Sequence, residues 1–511
     1  MKKVLCIILS ILMLAGMLAG CGQKADTKPA AQGTEAAQGN AAANSGEEPY
    51  EVHMLIALPA TAPDAAALER VMNAVNAITL PKLNMTLKLE VMPFSMYLEQ
   101  IPLQLSSGAS LDIFTAPSAM GPGWVNAGYL LDLTDLMAEY GKDIPGTYSS
   151  PELATVCNLN GFLYGLPVHK ETCQQPTMFF RTDILEKHNL DVSNIRTLAD
   201  VDALFEKVSQ LEPDMWMVAA DNTAQGKTVE ADFIGGSAIT AGLLLNRDNT
   251  EVVEIVGSEE FREWCDYHYK WYTKGWINSG AASDTESYYS YIKSGQAFSF
   301  FSDYGHPLSL TDQQANCSGT PLTMVQLDTP YCTTNSSAVF CYSIGAGSKD
   351  PAKAMTMLNE IMTSTELMNL LNWGVEGEDY VVNADGLLDF PEGKDASTVG
   401  YHLDAGWILP NQFKCTPWCT SPADIYDQFM DYNATAVNSP ALGFRFDPDP
   451  VSDIVSAVSN VRSKYYKALI VGAVDPAEYI PKYLEELDAA GNQELIAEIQ
   501  RQLDEWLASK G

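Results

Sequence analysis

The chain has 511 residues, of which 46% are hydrophobic and 19% are charged, a globular composition that excludes disorder of the whole chain. The 65 acidic residues outnumber the 30 Lys and Arg residues, which gives a formal net charge of −35 at pH 7. A field of that sign repels phosphate backbones and anionic headgroups, so it disfavours nucleic-acid binding and a basic membrane-binding patch. We expect no nucleic-acid partner.

The N-terminus predicts export. Two lysines precede an apolar run over residues 4–20, which ends in the sequence Leu-Ala-Gly-Cys at Cys21. This arrangement is typical of a secretory signal peptide rather than of a folded element. The ending is similar to the bacterial lipobox, in which the cysteine is lipidated; an ordinary signal peptide that happens to carry a cysteine is the alternative. We predict a signal peptide over 1–20, lipidation of Cys21 and a flexible tether over 21–48, which has no apolar periodicity.

The first part of the body alternates between strand and helix patterns. Alternating apolar residues predict strands over 51–58, 85–91 and 111–115, and helical spacing predicts helices over 63–78 and 95–107. This β-α-β-α-β order implies a sheet with crossover helices. Ligands bind beyond the carboxyl ends of such strands, and the third strand ends in a loop that carries Ser118 and leads to Trp124.

Further elements follow in chain order. Asn160-Gly161 predicts a tight hairpin, and a polar cluster of His169, Lys170 and Glu171 comes soon after it. A strand over 295–301 leads into Asp303 and Tyr304. The other predicted elements are strands over 177–181 and 337–344, and helices over 183–188, 197–211, 259–274 and 351–372, with two or three more after 450.

The cysteines do not indicate a metal site or a disulfide scaffold. Eight remain after the predicted signal and lipidation cysteines, too few for a disulfide-rich fold, and their pairing stays open. Cys415 and Cys419 have no second Cys/His pair beside them, so we expect no zinc. No EF-hand calcium loop occurs either, and no metal or cofactor is expected.

Several stretches together resemble a known family. They are the lipobox, Ser-Gly-Ala-Ser-Leu-Asp-Ile-Phe at 107–114, Asn-Gly-Phe-Leu-Tyr-Gly-Leu-Pro at 160–167, Phe-Arg-Thr-Asp-Ile-Leu at 180–185 and Ser-Lys-Asp-Pro-Ala-Lys-Ala at 348–354. In their order and spacing, residues 1 to about 382 resemble the extracellular solute-binding lipoproteins of carbohydrate ABC transporters, in their longer Gram-positive branch. The match weakens after that point.

The resemblance implies an α/β, two-lobed periplasmic-binding-protein-like (Venus flytrap) fold of class II type, with an extra C-terminal segment. By analogy the chain crosses between the lobes near 177–181, near 331–338 and after Trp373. The first lobe would hold 49–178 plus about 335–373. The second lobe would hold 179–334 plus about 374–511, including the C-terminal extension.

The resemblance also implies a sugar in the cleft between the lobes. A sugar site needs aromatic rings for the C–H face and carboxylates, amides or basic groups for the hydroxyls. A buried aromatic ring or a loop cap is the alternative reading of each candidate. The candidates are Ser118, Trp124, His169, Lys170, Glu171, Asp303, Tyr304, Trp373, Glu376 and Trp407.

The predicted function is capture of a mono- or oligosaccharide for the membrane permease of an ABC importer. The protein would be a monomer on the extracellular face of a bacterial, Gram-positive cytoplasmic membrane, held there by the lipid on Cys21. A binding protein for peptides or another non-sugar solute is the alternative. A secreted glycoside hydrolase is a weaker one, because neither G-x-S-x-G nor H-E-x-x-H occurs.

Overall fold

The computed structural model describes residues 47–58, 63–220, 230–236, 238–247, 249–284 and 286–510. The predicted signal peptide, the lipidation of Cys21 and nearly all of the predicted tether lie outside the described residues. From Glu47 onward the chain forms one compact unit. Among the described residues, no helix is both long enough and apolar enough to cross a membrane.

The first sheet has five strands. The three that begin the body pair in parallel, because helices Ala65–Leu83 and Phe94–Ser106 carry the chain back between them. A strand from much later in the chain joins them in the antiparallel sense. The strand order is Met85–Pro93, Tyr50–Leu58, Ile113–Pro117, Phe340–Ser343 and Leu166–Pro167.

The second sheet has four strands in the order Leu322–Gln326, Thr177–Arg181, Ala297–Ser302 and Trp216–Val218. Side chains of Thr177–Arg181 alternate between its two faces, with Phe180 in a large core and Phe179 in a smaller one. A small sheet of Val253–Glu254, Ala241–Leu244 and Ala231–Asp232 lies in the same half of the molecule. Two-residue strands also pair at Asn158–Leu159 with Phe162–Leu163, Tyr331–Cys332 with Val437–Asn438, and Val381–Val382 with Leu388–Asp389.

Helices cover both sheets, and their starts follow from local sequence. Thr197 and Asp200 form a reciprocal capping box at the start of Leu198–Leu211, for example, and Ser258 caps the first turn of Glu259–Thr273. The remaining helices are Gly121–Asn126, Thr134–Tyr140, Thr182–Lys187, Tyr288–Lys293, Ser309–Asn316, Thr334–Ser337, Pro351–Thr363, Thr365–Trp373, Ile425–Thr435, Ser452–Ile470, Pro476–Ala489 and Asn492–Lys510.

Two large hydrophobic cores define two lobes. The first core draws on residues 52–168, 338–371 and 401–415, and the second on 178–327 and 441–503. The resemblance predicts the segment 401–415 in the second lobe, but its buried residues pack in the first core. The reason is a set of long-range contacts to the end of helix Thr365–Trp373: Asn372 accepts from the backbone of both Leu403 and Ala405. The third crossing therefore comes after residue 415, not directly after Trp373.

The three crossing segments are hydrogen-bonded to one another. Gln174 and Tyr331 exchange both backbone N–H···O bonds at 2.8 Å, which joins the first crossing to the second. Tyr331–Cys332 in turn pairs with Val437–Asn438 of the third crossing. The two lobes are therefore connected by three neighbouring segments that are hydrogen-bonded to one another.

Candidate functional site

A cavity of about 410 Å³ lies where the two lobes meet at the crossing segments. Its wall includes Ser118 from the first lobe, Asp303 from the second, and Tyr331, Thr333 and Asn335 from the second crossing. A second cavity of about 500 Å³ adjoins it, and the two share Ala119, Asp232, Gly236 and Asn335. Both volumes fall in the range of small-molecule sites.

Arg445 connects the first lobe to the second crossing at this point. Its Nη2 donates to Ser118 Oγ at 3.0 Å, and its Nη1 donates to Asn335 Oδ1 at 2.8 Å. Ser118 Oγ itself donates to the Ala338 carbonyl. Arg445 is only 7% exposed and lines the second cavity. These contacts hold the loop after strand Ile113–Pro117 against the crossing segment, so the position of Ser118 is fixed from both sides.

Asp232 lines both cavities and is almost fully buried, with 1% of its surface exposed. Its Oδ2 has no hydrogen-bond partner among the described residues. Burial raises the pKa of Asp232 to about 6, although a hydrogen bond with Ser439 and the charge of Arg445 act in the opposite direction. Asp232 therefore places a buried carboxylate with an unsatisfied oxygen at the wall that the two cavities share.

Asp303 and Tyr304 follow strand Ala297–Ser302 of the second lobe. The Asp303 carboxylate lines the first cavity and accepts from Gln174 Nε2 at 2.7 Å. The neighbouring Tyr304 ring is 46% exposed, and its centroid lies 6.1 Å from that of His306. Tyr304 itself lines neither cavity, so it stays a candidate on the exposure of its ring and its position directly after Asp303.

Lys170 and Glu171 form a half-buried ion pair with a 2.5 Å separation between Nζ and Oε1. Burial opposes ionisation of Glu171, but the charges of Lys170 and His306 hold the pKa of Glu171 below its usual value. The Glu171 carboxylate in turn acts on Asp312 of the second lobe. Burial, followed by the charges of Glu171 and of Asp404, raises the pKa of Asp312 to about 7. Neither Lys170 nor Glu171 lines the two cavities, so both stay candidates on their electrostatic position alone.

Of the predicted tryptophans, Trp124 lines a cavity, whereas Trp407 lines neither. Trp124 lines the second cavity and is otherwise buried, its ring 6.2 Å from that of Phe114. Trp407 is half-buried between Phe94 and Phe340, with centroids 6.4 and 6.3 Å away. Phe340 directly follows Val339, which lines the first cavity.

The other three predicted residues lie elsewhere. His169 is packed between Tyr148 and Phe413, with centroids at 4.7 and 4.6 Å, and burial lowers its pKa to about 4. Trp373 packs on Trp418 at 5.0 Å, in an aromatic cluster formed by the segment that folds over the end of its helix. Glu376 is exposed in the turn that follows. None of the three lines either cavity.

Four residues that line a cavity were not predicted from the sequence: Asp232, Asn335, Arg445 and Arg462. A signal was present for Arg445, because it is the single charge within the run Ala-Leu-Gly-Phe-Arg-Phe at 441–446. A lone arginine inside an apolar run predicts a buried charge with polar partners. Asp232 and Arg462 carry no comparable local pattern.

Two family models match parts of this chain. A family model described as bacterial extracellular solute-binding protein matches residues 74–373, more than half of the chain, so the chain belongs to this family. A second model, described as a domain of unknown function (DUF3502), matches residues 440–508.

Individual relatives span nearly the whole chain. A carbohydrate ABC transporter substrate-binding protein of Streptococcus pneumoniae serotype 4 is 25% identical over 98% of this chain and 97% of its own length. The crystal structure of the N-glycan transport solute binding protein NgtS from S. pneumoniae is 22% identical, covers 90% of this chain and 100% of its own, and has a TM-score of 0.79. The S. pneumoniae substrate binding protein FusA in complex with kestose is 16% identical over 90% of this chain and 100% of its own, with a TM-score of 0.61. The predicted two-lobed solute-binding fold is confirmed.

Proposed function

We propose that this bacterial extracellular solute-binding protein captures a mono- or oligosaccharide between its two lobes and delivers it to the permease of an ABC importer. The observation that carries the proposal is the cavity at the crossing segments, whose wall is built from both lobes. The names of the full-length relatives, a carbohydrate transporter component and an N-glycan transport protein, support the choice of sugar.

The chemistry of the cleft suits a neutral polyhydroxylated ligand. The Asp232 and Asp303 carboxylates accept from hydroxyl groups, and the Asn335 amide and the Thr333 hydroxyl lie in the same wall. Hydrogen bonds to ionised groups are stronger than those between neutral groups, so two carboxylates orient a sugar ring well. Tyr304 adds an exposed ring for the C–H face.

Closure of the two lobes around the sugar would be the conformational change that accompanies binding. The lobes are connected by three crossing segments, which are paired through Gln174, Tyr331 and Val437–Asn438. A ligand that contacts both lobes favours the closed state, and a shift from 1:99 to 99:1 requires a preference of about 5.5 kcal/mol. Several charge-assisted hydrogen bonds and one stacked ring are sufficient for that preference.

The finer elements of the proposal concern location and partners. We place the protein at the extracellular face of the cytoplasmic membrane, anchored by a lipid on Cys21, as a monomer that contacts the permease in its closed state. It binds the sugar and releases it unchanged, so no catalytic role is assigned to its carboxylates.

Thermal unfolding of the purified protein against a ligand panel tests the proposal. The panel contains Man1GlcNAc, Man5GlcNAc, kestose and a tripeptide, and each sugar is recovered and analysed afterwards. A ligand present at about 100 times its Kd adds about 2.7 kcal/mol to the stability, which is a readily measured shift. We expect a shift with one of the sugars, which is recovered intact.

A site variant and a surface control sharpen this experiment. Asp303→Asn should weaken the sugar-induced shift, whereas Asp385→Asn, in an exposed turn away from both cavities, should leave it unchanged. A shift with the tripeptide alone would contradict the sugar assignment and favour a peptide-binding protein. Cleavage of a sugar during the assay would contradict the binding function and would show that the protein is a hydrolase.

A further inference from the structure

The C-terminal segment over residues 440–508, which matches the domain of unknown function, takes part in both cavities. Arg462 and Tyr466 lie one turn apart on helix Ser452–Ile470 and line the first cavity. Arg445 and its two neighbouring phenylalanines line the second. The same helix buries Val458 and Leu469 in the second core, so the side that bears Arg462 has a fixed orientation.

The Arg462 side chain is held by a rigid aromatic stack. Its guanidinium lies over the Tyr466 ring, with Cζ 4.4 Å from the ring centroid. Tyr466 is 4% exposed and stacks on Phe261 with a centroid separation of 5.7 Å. A guanidinium stacked on a buried ring loses little further freedom when it binds a ligand.

Among the described residues, Arg462 lacks the acidic partner that three other basic residues of this segment have. Lys464, Lys482 and Arg501 pair with glutamates at separations of 2.5 to 2.6 Å. Arg462 forms no ion pair within the described part of the chain, and its Nε is buried there without a hydrogen-bond partner. In a chain with 65 acidic and 30 basic residues, such a guanidinium is open to an acceptor from outside the fold.

The neighbouring charges indicate which acceptor fits. A guanidinium donates two parallel N–H bonds either to a carboxylate or to two adjacent hydroxyl oxygens. The Asp232 and Asp303 carboxylates outnumber the Arg462 guanidinium in the wall of the first cavity, so this wall disfavours an anionic ligand and offers acceptors to hydroxyl groups. The wall therefore favours the adjacent hydroxyls of a neutral sugar.

We propose that the segment over 440–508 forms one wall of the saccharide cleft and that Arg462 binds a pair of adjacent hydroxyls on a neutral sugar unit. This inference rests on the proposed function, which it extends by giving the C-terminal segment a direct role in ligand recognition.

Calorimetric titration of variants with the sugar identified by the panel tests the inference. Arg462→Gln should weaken binding at least about tenfold, equivalent to about 1.4 kcal/mol. Arg462→Lys should also bind more weakly than the wild type, because lysine keeps the charge but lacks the planar guanidinium that donates two parallel N–H bonds. Arg501→Gln is the matched control: it removes a guanidinium from the same segment, outside both cavities, and should bind within about twofold of the wild type.

The possible outcomes separate this inference from the proposed function. Unfolding of each variant without ligand shows that it is folded before titration. If the wild type binds a panel sugar and Arg462→Gln binds it equally well, the role of Arg462 is refuted and the proposed function stands. If the wild type binds no sugar, both the role of Arg462 and the proposed function are refuted. Tighter binding of digalacturonate than of every neutral sugar would refute the assignment to neutral hydroxyls.

Discussion

Replacing Asp232 by Asn should stabilise the protein at neutral pH and should weaken sugar binding. The pKa of Asp232 rises from the usual 3.8 to about 6 because the side chain is buried. Each pKa unit corresponds to about 1.4 kcal/mol, so ionisation of this carboxylate costs the folded state about 3 kcal/mol. Asparagine keeps an acceptor for Ser439 and removes the buried charge.

The sign of the pH dependence follows from the same pKa. Between about pH 4 and pH 6 the folded protein retains the proton on Asp232 while the unfolded chain has lost it. The contribution of this group to stability is therefore complete at low pH and is lost as the pH rises through about 6. Asp232 interacts electrostatically with Arg445, Tyr331 and Cys332, whose usual pKa values all lie above this window, and the nearby carboxyl groups are those of Asp303 and Glu230.

Urea unfolding of the wild type and Asp232→Asn at several pH values isolates this effect, because other titrating groups cancel in the difference. We expect the variant to gain up to about 3 kcal/mol over the wild type above about pH 7 and to gain little near pH 4. A difference that does not change with pH, or a variant that is less stable at neutral pH, would refute the reasoning. A residue that lowers the stability of the folded protein and lies in a cavity wall is typical of a binding site.

Further predictions concern ion pairing and the two aromatic positions. Arg70→Met should destabilise the protein by about 3 kcal/mol in urea unfolding, because it leaves the fully buried Asp379 carboxylate, 2.5 Å from Arg70 Nη2, without its cation; an unchanged midpoint would contradict this. Tyr304→Ala should leave the melting temperature unchanged and weaken sugar binding about tenfold, since its ring is exposed and directly follows the cavity residue Asp303. Trp373→Ala should do the reverse, losing about 3 kcal/mol of stability with unchanged affinity, because its ring is packed in a separate aromatic cluster.

Local elements were predictable from the sequence where short-range patterns determine them. The alternation at 51–58 predicts a strand, and the structure has the strand Tyr50–Leu58 at that position, although both faces of its second half are buried. Asn160 and Gly161 both have positive φ, as the Asn-Gly hairpin signal requires. Ser118 and Asp303 were identifiable because each follows the carboxyl end of a strand, which is where ligands bind in such sheets.

The rest depends on contacts between distant parts of the chain. The position of the third crossing is determined by Asn372 binding the backbone 31 and 33 residues further on, which no periodicity reveals. His169 reads as a polar residue at the end of a strand, yet Tyr148 and Phe413 enclose it. Arg462 looks like any other arginine on an amphipathic helix, and only the packed structure shows that it lacks an acidic partner among the described residues.

Hydrogen–deuterium exchange with and without a bound panel sugar tests most directly the claim that the sugar binds between the lobes. We predict slower exchange on binding at Ser118 and Ala119, at Asp303, at 333–336 and at 462–466, the parts of both lobes and of the C-terminal segment that line the first cavity. Protection confined to one lobe, or to surfaces away from these segments, would contradict capture between the lobes.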